Sequence, residues 1–274
     1  MPTIRASAAP ATDLYYVDLG TGRPVVLVHG WPLSHRMWET QITALVDAGY
    51  RCIAYDRRGF GESGRPTGGF DYDTFASDLN DLITQLDLRD VTLAGFSMGG
   101  GEVARYAGRY GTARLAKAML LGSVTPFLLE TPDNPTGLDR SVFDGMIEGV
   151  KKDRIGFLDQ FFPAFYNYEP SKGVSADVIA FSKWIAWAAS PLGTWECINA
   201  FGATDFRADL KKLTVPTLIV HGDADQIVPF DISGKLTHGQ LPGSRLEVLP
   251  GAPHGFAATH SAKLNALMLD FVRG

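Results

Sequence analysis

The 274-residue chain is poor in the features that mark several protein classes. Its two cysteines, Cys52 and Cys197, are far apart and too few for a disulfide scaffold, so buried free thiols are expected. Neither they nor the six histidines fall at ligand spacing, and no metal or cofactor is expected. No stretch approaches the roughly 18 apolar residues that cross a bilayer, and the segment from Met1 to Pro10 lacks the apolar core of a secretory signal. A cytoplasmic protein without membrane contact is expected. Positive charge is also in deficit, with 25 Lys and Arg against 30 Asp and Glu, which leaves no basic footprint for nucleic acid. Repeats, linkers and low-complexity tracts are missing too, so the length reads as one domain that has room for an insertion.

What is present is an alternation of short apolar runs and helical periodicities. Leu14 to Asp18 reads as an outer strand ending in a turn, and the β-branched run Pro24 to Val28 as a strand buried on both faces. Arg51 to Asp56, Val91 to Phe96, Leu115 to Leu121, Val215 to Gly222 and Arg245 to Leu249 are further strands. Helices are expected over Met37 to Leu45, Tyr72 to Leu86, about Asp231 to Gln240 and Ser261 to Val272. In the second of these, Phe75, Leu79, Leu82, Ile83 and Leu86 form the apolar face, while Asp73, Asp78 and Asp81 are expected to face away. From about 124 to 204 the alternation stops. That aromatic-rich segment reads as a helical cap inserted between two core strands of a mainly parallel, doubly wound α/β sheet.

The strand Val91 to Phe96 runs into Gly95-Phe96-Ser97-Met98-Gly99 and restarts as a helix. Gly-x-Ser-x-Gly between a strand and a helix suits a nucleophile elbow, in which a strained turn presents Ser97 at the sheet edge beside a helix N-terminus. A serine hydroxyl is a weak nucleophile at its free pKa, so it needs a base, and the base needs a carboxylate. In chain order the acid comes second and the histidine last, each after a strand. Asp225 and His254 meet that requirement. Asp223 is the rival acid, although its place after Gly222 suits a side chain that bonds its own turn. His29 ends a strand and is expected to shape the loop around the oxyanion site. His35 and His238 sit in polar contexts, His221 precedes the acid loop and His260 opens the last helix. The backbone N–H groups of Trp31 and Met98 are the candidate oxyanion donors. Most aromatic rings of the insertion are expected to pack it, with a minority facing the serine. Trp31, Pro32, Phe127, Phe143, Phe162, Trp187 and Ile227 are the candidates for a substrate pocket.

Taken together, Gly95-Phe96-Ser97-Met98-Gly99-Gly100, His29-Gly30-Trp31-Pro32, Asp56-Arg57-Arg58-Gly59-Phe60-Gly61, Thr204-Asp205-Phe206-Arg207-Ala208-Asp209-Leu210 and Pro253-His254-Gly255-Phe256 resemble the cofactor-free bacterial haloperoxidase and arylesterase family of the α/β-hydrolase fold. The resemblance covers almost the whole length. It implies Ser97, Asp225 and His254 as a triad, with Trp31 and Met98 as backbone donors. It also implies cleavage of small esters, sometimes lactams, and acyl transfer to water or to hydrogen peroxide, the latter giving a peracid that oxidises halide without metal or haem. A homo-oligomer, trimer or larger, is implied as well. Pro32 stands where perhydrolysis-leaning members carry Pro and esterase-leaning ones Leu. Two other readings remain open: a dedicated perhydrolase or lactamase, and a non-catalytic binder that keeps the fold.

Overall fold

The computed structural model describes residues 2–169 and 173–274. Met1 of the N-terminal segment and Pro170, Ser171 and Lys172 of the expected insertion lie outside the described residues.

Eight strands form one sheet: β1 (Thr3–Ala6), β2 (Thr12–Leu19), β3 (Pro24–Val28), β4 (Arg51–Tyr55), β5 (Val91–Phe96), β6 (Leu115–Leu121), β7 (Thr217–Gly222) and β8 (Arg245–Leu249). Their spatial order is β1-β2-β4-β3-β5-β6-β7-β8; β1 and β2 run antiparallel at one edge, and the rest of the sheet is parallel. The central strands read as unbroken apolar runs because helices cover both faces, and Val25 to Val28 are wholly buried. Three helices of the alternation precede β6, namely α1 (Glu39–Asp47), α2 (Tyr72–Gln85) and α3 (Met98–Tyr110); beyond β6 the insertion opens with α4 (Arg140–Phe165). It continues through α5 (Ala176–Trp187), α6 (Pro191–Ala203) and the short α7 (Arg207–Leu210), after which β7 resumes the sheet. The chain then adds α8 (Gly234–Gln240), α9 (Phe256–Thr259) and α10 (Ser261–Arg273). Among the described residues, no helix is long and apolar enough to cross a membrane.

Register positions the site. Val28 pairs with both Tyr55 and Gly95, so the loops after β3, β4 and β5 emerge side by side, while Gly222 opposite Leu249 brings the loops after β7 and β8 together. All of them leave from the carboxyl ends of parallel strands, where α/β folds bind ligands. Cys52 and Cys197 are free and buried, as expected.

Three local readings are corrected. The first strand, β1, forms in a segment read only for what it lacked. The helix expected from Asp231 begins as one 3₁₀ turn, Phe230–Ile232, before α8. Asp78 does not face solvent: it is buried and accepts from Nε and Nη2 of Arg58, both at 2.6 Å. Helical spacing put it on the polar side, and the arginine folded in from the loop after β4 supplies the counter-charge that makes its burial tolerable.

Helix α4 is broken at Asp153, whose backbone (φ −153°, ψ 86°) leaves the helical region. Asp153 Oδ1 then accepts from the Gly156 N–H at 2.9 Å and starts the second half. That half ends at two ties to the sheet: the Gly255 N–H donates to the Phe165 carbonyl (2.8 Å), and Asn167 Nδ2 to the Ala224 carbonyl (2.9 Å).

Candidate active site

Ser97 sits between β5 and α3 with φ +55° and ψ −120°, a region that non-glycine residues rarely occupy and that costs on the order of 1–3 kcal/mol. Neighbouring contacts hold it there. Its N–H donates to the Leu121 carbonyl (2.8 Å), and its own carbonyl accepts from Gly100 (2.9 Å). A Cβ on Gly95 would overlap the Gly99 carbonyl, and one on Gly99 would overlap that of Val28, so only glycine allows this approach of α3 to the sheet.

The three side chains paired by chain order form one row. His254 Nε2 lies 2.9 Å from Ser97 Oγ, and His254 Nδ1 lies 2.6 Å from Asp225 Oδ2. A carboxylate can only accept, so Nδ1 carries the proton and Nε2 faces the serine hydroxyl as acceptor. Asp225 Oδ1 accepts from the N–H groups of Ile227 (2.9 Å) and Val228 (2.8 Å). Burial alone would raise the Asp225 carboxyl, but the charge on His254, with hydrogen bonds from His221 and His254, outweighs it and holds the group well below the usual carboxylate range. Rings of Phe96 (4.9 Å) and Phe165 (5.0 Å, edge-on) flank the imidazole and keep it dry.

Asp223 has a different task from the one expected. Its Oδ1 accepts from the Gly251 N–H at 2.6 Å, so it ties the loop after β7 to the loop after β8 rather than closing its own turn. Asp225 is the residue that makes the Asx-type bonds.

The remaining histidines lie outside the row. His35 and Asp56 are paired at 2.8 Å, His238 bonds Ser244, and His260 bonds Thr259. His221 is buried, with Nε2 2.9 Å from the Val228 carbonyl and 3.4 Å from Asp225 Oδ2. His29 lies under the loop that carries Trp31. Burial and the Arg57 charge drive its imidazole from 6.5 down to about 3, so it is neutral. Arg57 is itself fully buried against Glu102 of α3, Nε to Oε2 at 2.8 Å. Sequence reasoning did not find Arg57, Glu102 or the His221 contact. Arg57 entered only as part of the Asp56–Gly61 motif that carries the family resemblance, and Glu102 lies in the helix that restarts after Ser97.

Trp31 lies in the loop after β3, and Met98 at the first turn of α3 directly after Ser97. Among the described residues, no acceptor engages either backbone N–H.

A cleft opens over Ser97 and His254. Trp31, Phe143 and Ile227 of the expected pocket line it. Phe161 and Phe201 supply further rings, while Val124, Leu128, Leu138, Val142 and Met146 supply aliphatic wall that sequence reasoning missed. The other four candidates do not line it. Phe162 points away because its neighbour Phe161 faces the cleft and successive helical side chains diverge by about 100°. Phe127 packs under the Arg207 guanidinium (5.3 Å), Trp187 is 38% exposed on α5, and Pro32 is buried in the turn behind Trp31. Apart from His254, no titratable side chain among the described residues lines the cleft, so it suits an uncharged, apolar guest.

A parallel sheet, an elbow serine and a histidine–carboxylate pair on the following loops together define a hydrolase-type fold and site. The alpha/beta hydrolase fold family matches residues 23–261, and the chain belongs to that family. It is similar to a non-heme chloroperoxidase from Kitasatospora aureofaciens (46% identity, 95% of this chain and 96% of that one). A second relative is a bifunctional esterase/perhydrolase from Acinetobacter calcoaceticus (38%, 95% and 96%). The solved structure of a bromoperoxidase from Bacillus anthracis superposes with a TM-score of 0.94 at 49% identity, covering 100% of this chain and 99% of that one.

Proposed function

We propose that the protein is a serine hydrolase of small, neutral carboxylic esters, working through an acyl-enzyme on Ser97, with hydrogen peroxide as an alternative to water in the second step. The observation that carries this reading is the hydrogen-bonded row of Ser97, His254 and Asp225 opening on an apolar cleft. Ser97 Oγ attacks the ester carbonyl while His254 Nε2 takes its proton, and Asp225 stabilises the imidazolium so formed. The carbonyl oxygen becomes an oxyanion and is met by the N–H groups of Trp31 and Met98; losing one such donor typically costs about 3 to 4 kcal/mol. His254 returns the proton to the leaving alkoxide, and the alcohol departs. Water or peroxide, deprotonated in turn by His254, releases the acyl group as acid or peracid.

The neutral, apolar lining supports aryl and alkyl esters over charged ones, with small lactams as a related class. Similarity to a chloroperoxidase and to an esterase/perhydrolase supports peroxide as an acceptor, and favours a second reading in which perhydrolysis is the main activity. The same resemblance is our ground for expecting a homo-oligomer, trimer or larger. The test is a panel of acetates to hexanoates, with and without peroxide, on the wild type and Ser97→Ala. Wild type is expected to show an acyl burst, to turn over butyrate-sized esters and to form peracid when peroxide is added. Ser97→Ala is expected to lose at least about 10⁴-fold in kcat. Wild-type turnover in Ser97→Ala would end the proposal, and a specificity constant far higher for peroxide-dependent acyl transfer would favour the second reading.

A further inference from the structure

The acyl-transfer route uses His254 and leaves a second, wholly buried histidine without a role. Both ring nitrogens of His29 are engaged. The Arg57 backbone N–H donates to Nε2 at 3.0 Å, and Nδ1 lies 2.9 Å from the Gly30 carbonyl oxygen. A backbone N–H can only donate, so Nε2 is the lone pair and the proton of the neutral ring is on Nδ1, donating to Gly30. The Gly30 carbonyl and the Trp31 N–H are two ends of one planar peptide unit and point in nearly opposite directions. Whatever fixes the first aims the second. The Gly30 carbonyl also accepts from the Leu33 N–H at 3.0 Å, so two donors hold the same end of that plane.

Arg57 does more than meet the ring. Its Nη2 donates to the His29 carbonyl at 2.9 Å, and its Nε to Glu102 Oε2. Glu102 lies one turn into α3, the helix whose first residue, Met98, carries the other candidate donor. The Tyr72 hydroxyl donates to the Met98 carbonyl (3.0 Å) and braces that end too. The two segments that bear the donors are thus joined through one guanidinium. Burying Arg57 and Glu102 works against both charges, pushing the carboxyl up and the guanidinium down, so packing alone is a poor reason to keep the pair.

We infer that His29 is a positioning residue for oxyanion stabilisation: its Nδ1–H fixes the Gly30–Trp31 peptide so that the Trp31 N–H points at the developing oxyanion, and Arg57 selects the tautomer that makes this possible. The inference rests on the acyl-enzyme reading. It differs from a packing role in which atoms matter, because only the donor at the Nδ1 position is required.

Two substitutions separate the ring positions. In His29→Asn the amide nitrogen falls near Nδ1 and keeps the donor to Gly30, whereas His29→Gln reaches the Nε2 position and loses it. Kinetics are measured per active site titrated with an organophosphate, together with inhibition by a boronic acid whose tetrahedral adduct places an oxygen at the oxyanion position. For His29→Gln, kcat is expected to fall about 10- to 100-fold with KM within about threefold of wild type, and boronate affinity to weaken by a similar factor. His29→Asn is expected to stay within about fivefold on both counts. Wild-type kcat in His29→Gln, or equal losses in the two variants, overturns the inference. Should the Gln variant fail to fold, a tenfold or larger fall of kcat in His29→Asn overturns it, and retained kcat with retained boronate affinity supports it. Turnover by Ser97→Ala would remove the underlying reading instead. An inert Ser97→Ala beside a fully active His29→Gln removes this inference alone.

Discussion

His254 and His29 are the same side chain in two surroundings, one hydrogen-bonded to Ser97 and the other under the loop that carries Trp31. Their exposure is nearly equal, 1% and 0%, so burial does not distinguish them. Their partners do. His254 has a carboxylate on one nitrogen and a hydroxyl on the other, whereas His29 has a peptide carbonyl on one, a peptide N–H on the other, and the Arg57 guanidinium 3.5 Å from its ring. A proton arriving on His254 meets a negative charge; one arriving on His29 meets a positive charge. In the proposed mechanism the first ring changes charge during turnover, while the second keeps its proton where it is. The role of a buried histidine is therefore read from the sign of its neighbours, not from its depth.

The comparison breaks first at Asp225. In Asp225→Asn the side-chain oxygen is claimed by the N–H groups of Ile227 and Val228, which turns the new NH₂ toward His254 and forces the proton onto Nε2, facing the serine. kcat is expected to fall about 10⁴-fold with the fold intact, measured with an aryl acetate and checked by circular dichroism. A loss under tenfold would mean that the carboxylate does not set the difference between the two rings.

A smaller effect is expected in stability. The folded protein holds His29 at about 3 against 6.5 in the unfolded chain, so acid adds a proton to the unfolded state first. The contribution of the neutral ring is whole above about pH 7 and is lost as pH falls, by about 2 kcal/mol between pH 7 and 5. Asp225 acts in a separate window. Its depressed carboxyl stabilises the fold above the ordinary carboxylate range and loses that effect only at more acid pH, so it adds no slope between 5 and 7. Urea unfolding at pH 7 and pH 5 should show the wild type losing about 2 kcal/mol more than His29→Asn; equal losses would show that His29 protonates freely in the folded state.

The smallest effects sharpen the boundary of the cleft. Trp187→Ala, off the cavity wall, is expected to change kcat/KM by less than about twofold for every ester tested. Met146→Ala, on the wall, should shift the preferred acyl chain upward by about one or two methylenes, since the room gained holds them.

How much of this was legible in the sequence follows from how local each signal is. Strands buried on both faces announce themselves as continuous apolar runs, and β3 and β8 carry the boundaries expected of them. Ser97, Asp225 and His254 could be picked out because parallel topology confines the reacting groups to loops after strands, and chain order does the rest. The Phe162 and Asp78 readings failed for one reason: a helical wheel gives the angle between residues but not which neighbour will arrive to cover a given side. Phe161 took the cleft face, and Arg58 came in from another loop to meet Asp78. His29 was expected to shape the loop around the oxyanion site, but its link to Arg57 and Glu102 left no pattern, because the three come from three segments that only sheet register brings together.

The break in α4 at Asp153 divides the insertion into two halves with different obligations. Beyond it, Phe161 lines the cleft, while Phe165 and Asn167 are hydrogen-bonded to the very loops that carry His254 and Asp225; ahead of it, Val142, Phe143 and Met146 line the cleft. Substitutions in the first half can reshape what the cleft admits while the acid and base stay in register. Changes that break the ties at Phe165 or Asn167 would be felt as a loss of rate on every substrate alike.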